Sequence, residues 1–178
     1  MKIYHTKEMS DWINEKLRNF HRNSEKLYEI EKKDLDDHAL SSPHQGVMAE
    51  VEPLTWLHLE DYVEQNTDNM CLVLLDQLTN SQNIGSILRT ASAFNVDGVV
   101  ITKNNTPMEN GLMARAAAGA IETMPLIRVT NLSRSIEYLK KNNFFVIGLE
   151  KHGRENISDC IGNPQTALVL GSENLGLR

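Results

Sequence analysis

The side chains best suited to chemistry lie in two short segments that are far apart in the sequence. In the first segment, Asn83 and Arg89 stand six positions apart, with Gly85 between them. Asn83 is suited to capping a helix through its side-chain oxygen, and a glycine in the first turn opens the backbone to close approach. Arg89 lies outside the apolar face of that helix, so its guanidinium and the positive helix end predict a phosphate-type anion site. A capped surface helix with a solvated arginine remains the alternative.

The second segment places polar residues directly after an apolar run near position 170. Gly171 permits a sharp turn and close approach of a ligand to the backbone, and Ser172 or Glu173 is expected to open a helix. The spacing from Gly171 to Gly176 resembles a P-loop, but the next two residues are not Lys and Ser or Thr. This excludes a nucleoside-triphosphatase, because the lysine for the phosphates and the hydroxyl for magnesium are missing. A plain strand-to-helix turn remains the alternative.

The elements that must position these side chains are strands of a parallel sheet. From residue 71 onward, five apolar runs of strand length alternate with helical patterns. The runs cover residues 71–75, 98–102, 126–129, 144–149 and 167–170, and the helices cover residues 83–94, 108–120 and 131–141. Continuous apolar strands of this kind form a parallel α/β sheet that is covered on both faces. Ligands bind beyond the carboxyl ends of such strands, so functional residues are expected just after Leu75, Leu149 and Leu170.

The first 52 residues have a weaker and more irregular pattern. Strands are predicted over residues 2–6, 26–30 and 47–51, a helix over residues 7–19 and a turn over residues 41–46. Thr55 is suited to capping a polar helix that continues to Asn66. We therefore predict three parts, which are a small N-terminal domain over residues 1–52, a linker helix over residues 53–70 and a larger domain over residues 71–178.

Composition restricts the classes of protein to which the chain can belong. Apolar residues make up 40% and charged residues 24% of 178 positions, which is typical of a globular protein. No run is long enough for a membrane helix or a signal peptide, so we expect a cytoplasmic protein without a membrane partner. The only cysteines, Cys71 and Cys160, form no metal-ligand pattern, and buried free thiols without a metal are expected.

Charge is distributed unevenly along the chain. The net charge is −6, but residues 1–70 carry 8 Lys and Arg against 15 Asp and Glu, whereas residues 71–178 carry 10 against 9. A diffuse basic stripe for nucleic acid is therefore excluded, while a local RNA site in the C-terminal part remains compatible with the sequence.

Together the two segments resemble motifs of the SpoU (TrmH-like) RNA ribose methyltransferases of the knotted SPOUT superfamily. Residues 83–91 resemble the family's first motif and residues 168–176 its second. Residues 116–125 match a family segment between them, and residues 44–51 resemble the junction with the family's N-terminal substrate-binding domain. The resemblance covers residues 38–178 in sequence order.

The resemblance implies methyl transfer from S-adenosylmethionine to a ribose 2′-hydroxyl of rRNA or tRNA, by a cytoplasmic homodimer. It implies catalytic roles near the reacting ribose for Asn83, Arg89 and Glu173. It places Gly171 on the cofactor. The predicted cofactor pocket lies beyond the strand that ends at Leu149, so Leu149 is the second predicted cofactor-binding residue. Arg89 is often regarded as the base, but a guanidinium stays protonated, so stabilising an alkoxide or binding phosphate suits it better.

The chain also departs from the family pattern. The family's third motif, with a Ser-Leu-Asn core in the knot segment, has no counterpart in the sequence, and the N-terminal domain lacks a strand and a helix. We therefore expect an α/β fold of the SPOUT type without its knot segment, with an incomplete N-terminal substrate-binding domain, and weak cofactor binding. A catalytically inactive remnant or RNA-binding subunit of the same fold is the alternative function, and an unrelated nucleotide-binding α/β domain is a third.

Overall fold

The structure is a computed structural model that describes residues 1–18, 26–39, 43–66, 69–160, 162–173 and 176–177. The chain folds into two compact units, Met1–Pro53 and Leu54–Arg178. Within the described residues, no helix is both long and apolar enough to cross a bilayer.

The first unit contains a three-stranded mixed sheet. Its central strand pairs in parallel with the second strand and antiparallel with the third, in the order β2-β1-β3. A 3-10 turn at Lys7–Met9 leads into the first helix. The elements are β1 (Lys2–His5), α1 (Ser10–Leu17), β2 (Lys26–Glu29), α2 (Lys32–His38) and β3 (Val47–Glu50).

The predictions for the first unit were correct for its strands and incomplete for its helices. All three strands lie within one residue of the predicted bounds. The predicted helix over residues 7–19 begins as a 3-10 turn, and Asn19 lies outside the described residues. Helix α2 was missed because its only buried residue is Leu35, so it has no apolar periodicity. Ser41 and Ser42 of the predicted turn also lie outside the described residues.

The second unit contains the predicted five-stranded parallel sheet. All neighbouring strands run parallel, in the order β6-β5-β4-β8-β7. The prediction of a parallel sheet is confirmed, and the strand bounds differ by two residues at most. The strands are β4 (Met70–Leu75), β5 (Gly98–Thr102), β6 (Leu126–Val129), β7 (Phe145–Leu149) and β8 (Gln165–Leu170).

In the described part of the second unit, four helices cover this sheet on both faces. They are α3 (Leu59–Gln65), α4 (Ser81–Ala93), α5 (Gly111–Ala117) and α6 (Leu132–Lys141), with 3-10 turns at Ala120–Glu122 and Ile157–Asp159. Helix α5 is shorter than predicted because Ala118 adopts a left-handed conformation, with φ of 49°, that ends the helix.

Most of the segment predicted as a linker is part of the second unit, which begins at Leu54. Helix α3 begins at Leu59, so the expected cap at Thr55 was wrong. Leu59 and Val63 are buried in the core between α6 and the sheet. Leu57 pairs with Ile127 in an isolated parallel bridge, which covers the open edge of β6.

The core of the second unit forms one apolar layer on each face of the sheet. One layer joins the sheet to α4 and α5, and the other joins it to α3 and α6. Gly85 is essential to the first layer, because a Cβ there would overlap the carbonyl oxygen of Met113 and lie 2.7 Å from the Cβ of Ala116. The close approach predicted at Gly85 is therefore made by helix α5, because this glycine lets two helices touch.

The cysteines are less buried than expected. Cys71 and Cys160 are both free and only partly buried. Burial and the nearby Asp97 carboxylate raise the pKa of the Cys71 thiol.

Candidate active site

Helix α4 begins earlier than predicted, which changes the role of Asn83. Asn80 is the capping residue, and its side-chain oxygen accepts hydrogen bonds from the backbone N–H groups of Gln82 and Asn83 at 2.8 and 3.3 Å. The prediction that Asn83 caps the helix was therefore wrong. Its side chain, one turn further on, is available for another partner.

That partner is the glutamate of the second segment. The Nδ2 atom of Asn83 donates a hydrogen bond to Oε1 of Glu173 at 2.7 Å, across 90 positions of sequence. Asn83 follows β4 and Glu173 follows β8, and these two strands are neighbours in the sheet. Two of the three predicted catalytic residues are thus in direct contact at the carboxyl edge of the sheet.

The segment after β8 turns back sharply. Ser172 and Gly176 form an antiparallel bridge, and the N–H of Gly176 donates to the carbonyl of Ser172 at 2.9 Å. The prediction that Ser172 or Glu173 opens a helix was therefore wrong; Asn174 and Leu175 lie outside the described residues. Gly171 is required by this turn, because a Cβ there would overlap the backbone of Gly176.

A cavity of about 520 Å³ lies between the start of α4 and the end of β8, and we call it the α4–β8 cavity. Its polar lining combines side chains from both segments, and Ile87 and Leu170 add apolar surface. Its polar residues include Asn80, Asn83, Ser86, Ser172 and Glu173. A cavity of this size and mixed lining is suited to a nucleoside-sized group.

Arg89 does not line this cavity. It is exposed on α4, about 9 Å further along the helix axis than Asn83 and about 120° around it. Its side chain makes no hydrogen bond or ion pair with another described residue. Its position outside the apolar face agrees with the sequence, but the structure does not bring it together with Asn83 and Glu173.

The two predicted cofactor residues occupy neighbouring strand ends. Leu149 ends β7 and is the register partner of Leu170, so Gly171 lies one position beyond this pair. The residues line different cavities, however. Gly171 lies in the α4–β8 cavity, whereas Leu149 faces a second cavity beside Lys151 and Arg154.

The sequence predicted only one part of a third cavity, since Asp76 lies just after Leu75, where functional residues were expected, and the rest of its lining was missed. This strand-end cavity of about 520 Å³ lies beyond β4, β5 and β6, and Leu177 of the returning segment closes part of it. Its polar lining includes Asp76, which is 8% exposed, together with Thr102. The available signal was that each of these residues ends or follows an apolar run at the carboxyl edge.

Comparison with known proteins places these features in one family. Residues 70–178 match the model of the SpoU rRNA Methylase family. A protein of Staphylococcus aureus (strain COL), assigned to the TrmH family of tRNA/rRNA methyltransferases, is 37% identical over 168 residues. The match covers 93% of this chain and 67% of that relative.

Solved structures have the same fold. The SpoU methyltransferase AviRb from Streptomyces viridochromogenes, in complex with the cofactor AdoMet, matches with a TM-score of 0.76 at 24% identity, over 99% of this chain and 67% of AviRb. An RNA 2′-O ribose methyltransferase structure matches with a TM-score of 0.65 at 14% identity, over 99% and 65% of the two chains. The chain spans about two thirds of the length of these proteins.

Proposed function

Because this chain belongs to the SpoU rRNA methylase family, we propose that it transfers a methyl group from S-adenosylmethionine to a ribose 2′-hydroxyl of rRNA or tRNA. The assignment of the S. aureus relative supports the RNA substrate, and the AdoMet complex of AviRb supports the methyl donor. The knotted SPOUT arrangement, a homodimer and a cytoplasmic location belong to the same proposal.

The observation that carries this proposal is the hydrogen bond between Asn83 and Glu173. Each residue belongs to one of the two motifs, and no local reason requires side chains 90 positions apart to be paired. The amide fixes one carboxylate oxygen of Glu173, which leaves the other oxygen to accept a hydrogen bond from a ribose hydroxyl. Such a contact would orient the attacking oxygen, and methyl transfer depends chiefly on alignment.

Arg89 acts as a cation in this proposal and not as a base. A guanidinium is a cation with N–H donors and no acceptor atom, so it stabilises the developing alkoxide or holds the adjacent phosphate. Its exposed position on α4, away from the lining of the α4–β8 cavity, requires the long side chain to reach toward the bound RNA. The absence of a partner among the described residues leaves the guanidinium available for that contact.

The ends of β7 and β8 are compatible with S-adenosylmethionine. Leu149 offers an apolar surface, and Gly171 lies at the neighbouring strand end, so a cofactor that contacts both residues would bridge the two cavities that they line. When bound, S-adenosylmethionine supplies a methyl group that the sulfonium sulfur activates for transfer. The residues of this chain provide the contacts that orient the ribose hydroxyl toward it.

The experiment is a methyl-transfer assay with tritiated S-adenosylmethionine and mixed bacterial rRNA and tRNA, followed by nucleoside analysis. Because the sequence contains no Ser-Leu-Asn motif, the assay uses the 178-residue chain and a version extended with the C-terminal segment of the S. aureus relative. We expect labelled 2′-O-methyl nucleosides with the extended protein. RNA binding without label from either protein would contradict the proposal and support the inactive RNA-binding alternative.

Replacing Arg89 tests its role within the same assay. We expect Arg89→Ala to lower turnover of the extended protein by about 10²–10³-fold, as the loss of one transition-state contact does. The melting temperature should not change, because Arg89 is exposed and unpaired among the described residues. Lys141→Ala, which removes a charge from the end of α6, is the matched control and should retain full turnover. Unchanged turnover in Arg89→Ala would exclude a catalytic role.

A further inference from the structure

A basic cleft lies at the outer edge of the five-stranded sheet, beside β6. We call this cavity of about 540 Å³ the edge cleft, and its lining includes Trp56, Lys103, Arg128, Asn131 and Arg134. None of these residues belongs to the two motifs. The cleft carries three lysine and arginine side chains in a protein whose net charge is −6.

Two of the three cations are free to bind an anion. Lys103 and Arg134 are exposed, and neither makes an ion pair with the described residues. Among the residues that the structure describes, Glu60 is the one acidic residue that lines the cleft. Unpaired cations that converge on one cavity attract phosphate groups more strongly than isolated surface charges do.

The third cation is held in place by an aromatic ring. The guanidinium of Arg128 lies 3.7 Å from the centre of the Trp56 ring, and its Nη2 atom is 3.6 Å from Oε2 of Glu109. Nε of Arg128 and Nε1 of Trp56 are buried and have no acceptor among the described residues. This stack is preorganised and contains two unused hydrogen-bond donors.

The cleft also adjoins the carboxyl edge of the sheet. Thr130 and Asn131 line both the edge cleft and the strand-end cavity. Asn131 caps the ten-residue helix α6, whose positive end therefore faces the same region. Strand β6 lies three positions from β8 in the sheet, which is about 14 Å at the usual spacing between strands. An RNA strand that contacts both the α4–β8 cavity and the edge cleft would therefore pass the carboxyl ends of β4 and β5, which lie between β8 and β6.

From this arrangement we propose that the edge cleft binds the phosphate backbone of single-stranded RNA beside the nucleotide that occupies the α4–β8 cavity. The proposal rests on the RNA substrate of the proposed function and adds a second contact region to it. Lys103 and Arg134 bind phosphate oxygens directly, and the Arg128–Trp56 stack offers a planar surface at the cleft wall.

The first test uses the salt dependence of binding to a fluorescein-labelled 12-nucleotide single-stranded RNA, measured by anisotropy. Each lost phosphate contact reduces the slope of log K against log salt by about 0.7, which corresponds to about fivefold weaker binding at 0.1 M salt. We expect this change in Lys103→Ala and in Arg134→Ala, and about twice the change in the double variant. Lys141→Ala, at the other end of α6, should keep the slope of the parent chain.

The second test observes the cleft itself. Trp12 and Trp56 are the only tryptophans, so Trp12→Phe leaves Trp56 as the sole reporter. We expect RNA to change the Trp56 emission, and tripolyphosphate at equal phosphate concentration to have much less effect. An equal response to tripolyphosphate would identify a site for small anions and overturn the proposal.

The remaining outcomes separate this inference from the proposed function. If the parent chain binds RNA but the two variants retain its slope, the edge cleft is not an RNA contact and the proposed function is unaffected. If the parent chain does not bind RNA at all, the inference is overturned together with the RNA substrate. If the slopes change as expected but the extended protein transfers no methyl group, only the proposed reaction fails.

Discussion

The two units differ in how their strands are buried. In the second unit, every residue of β5 is buried, and five of the six residues of β4 are buried. In the first unit, all four residues of β2 are exposed, and β3 has no buried residue. Strands β4 and β5 at the centre of the second sheet are therefore covered on both faces, whereas its edge strand β7 has no buried residue.

Matched leucine-to-alanine substitutions in β4 and β2 should give the largest difference in the free energy of unfolding. Leu74 of β4 is fully buried, so Leu74→Ala leaves a cavity and should lower the free energy of unfolding by about 2–5 kcal/mol. Leu27 of β2 is 40% exposed, and Leu27→Ala should change it by about 0.5 kcal/mol or less. Urea denaturation followed by circular dichroism measures both. Equal losses would mean that β2 is buried in solution.

Two glycines of the second unit allow a further comparison, between a closely packed position and an open one. A Cβ at Gly85 would overlap helix α5, so Gly85→Ala should lower the free energy of unfolding by about 1–3 kcal/mol. Gly111, the first residue of α5, has open space where a Cβ would stand, and Gly111→Ala should be neutral or stabilise by up to about 1 kcal/mol. Thermal denaturation shows whether each substitution stabilises or destabilises the protein. A Gly85→Ala variant as stable as the parent protein would contradict the close approach of α4 and α5.

The same difference in burial explains what the sequence could predict. Strands β5 and β6 have the predicted bounds, because short, mostly apolar runs that alternate with helical patterns favour a buried parallel sheet. The cap of α6 at Asn131 was also correct. Helix α2 was not predicted, because Leu35 alone faces the interior and a single apolar residue has no period.

The candidate site was only partly predictable for a different reason. The positions of Gly171 and Glu173 beyond β8 followed from the strand pattern and were correct. Asn80 and Asn83 are equally good capping residues, so local sequence could not decide between them. The return of the chain at Ser172 depends on its bridge to Gly176, which no helical or strand period reveals. The choice of capping residue and the path of the chain after β8 therefore depend on tertiary contacts, which local sequence patterns do not reveal.

The two asparagines of α4 offer a smaller test, because one supports the fold and the other is proposed to support function. Asn80→Ala removes the cap and should lower the free energy of unfolding by about 1 kcal/mol. Asn83→Ala removes an exposed contact with Glu173, so it should cost less stability and lower methyl transfer by the extended protein more. Thermal denaturation and the methyl-transfer assay together measure both effects. A larger loss of stability in Asn83→Ala than in Asn80→Ala would mean that Asn83 caps the helix.

The smallest expected effect concerns the exposed polar contacts of the first unit. The Nζ atom of Lys2 donates to Glu50 at 2.8 Å, and the hydroxyl of Tyr4 donates to the same carboxylate at 3.1 Å. The hydrogen bond from Lys2, followed by that from Tyr4, lowers the pKa of Glu50 below its usual value. A carboxylate with a lowered pKa contributes stability above its unfolded pKa, and this contribution disappears as pH falls through the folded pKa. The first unit should therefore lose a small part of its stability on acidification below about pH 4.5, near the unfolded pKa of a glutamate.

Urea unfolding followed through the amide NMR signals of β1 measures this loss of stability, and Lys2→Met should reduce its pH dependence. Lys33→Met, which removes an exposed lysine from α2, is the control, and an equal reduction there would show that net charge and not the Lys2–Glu50 contact is responsible.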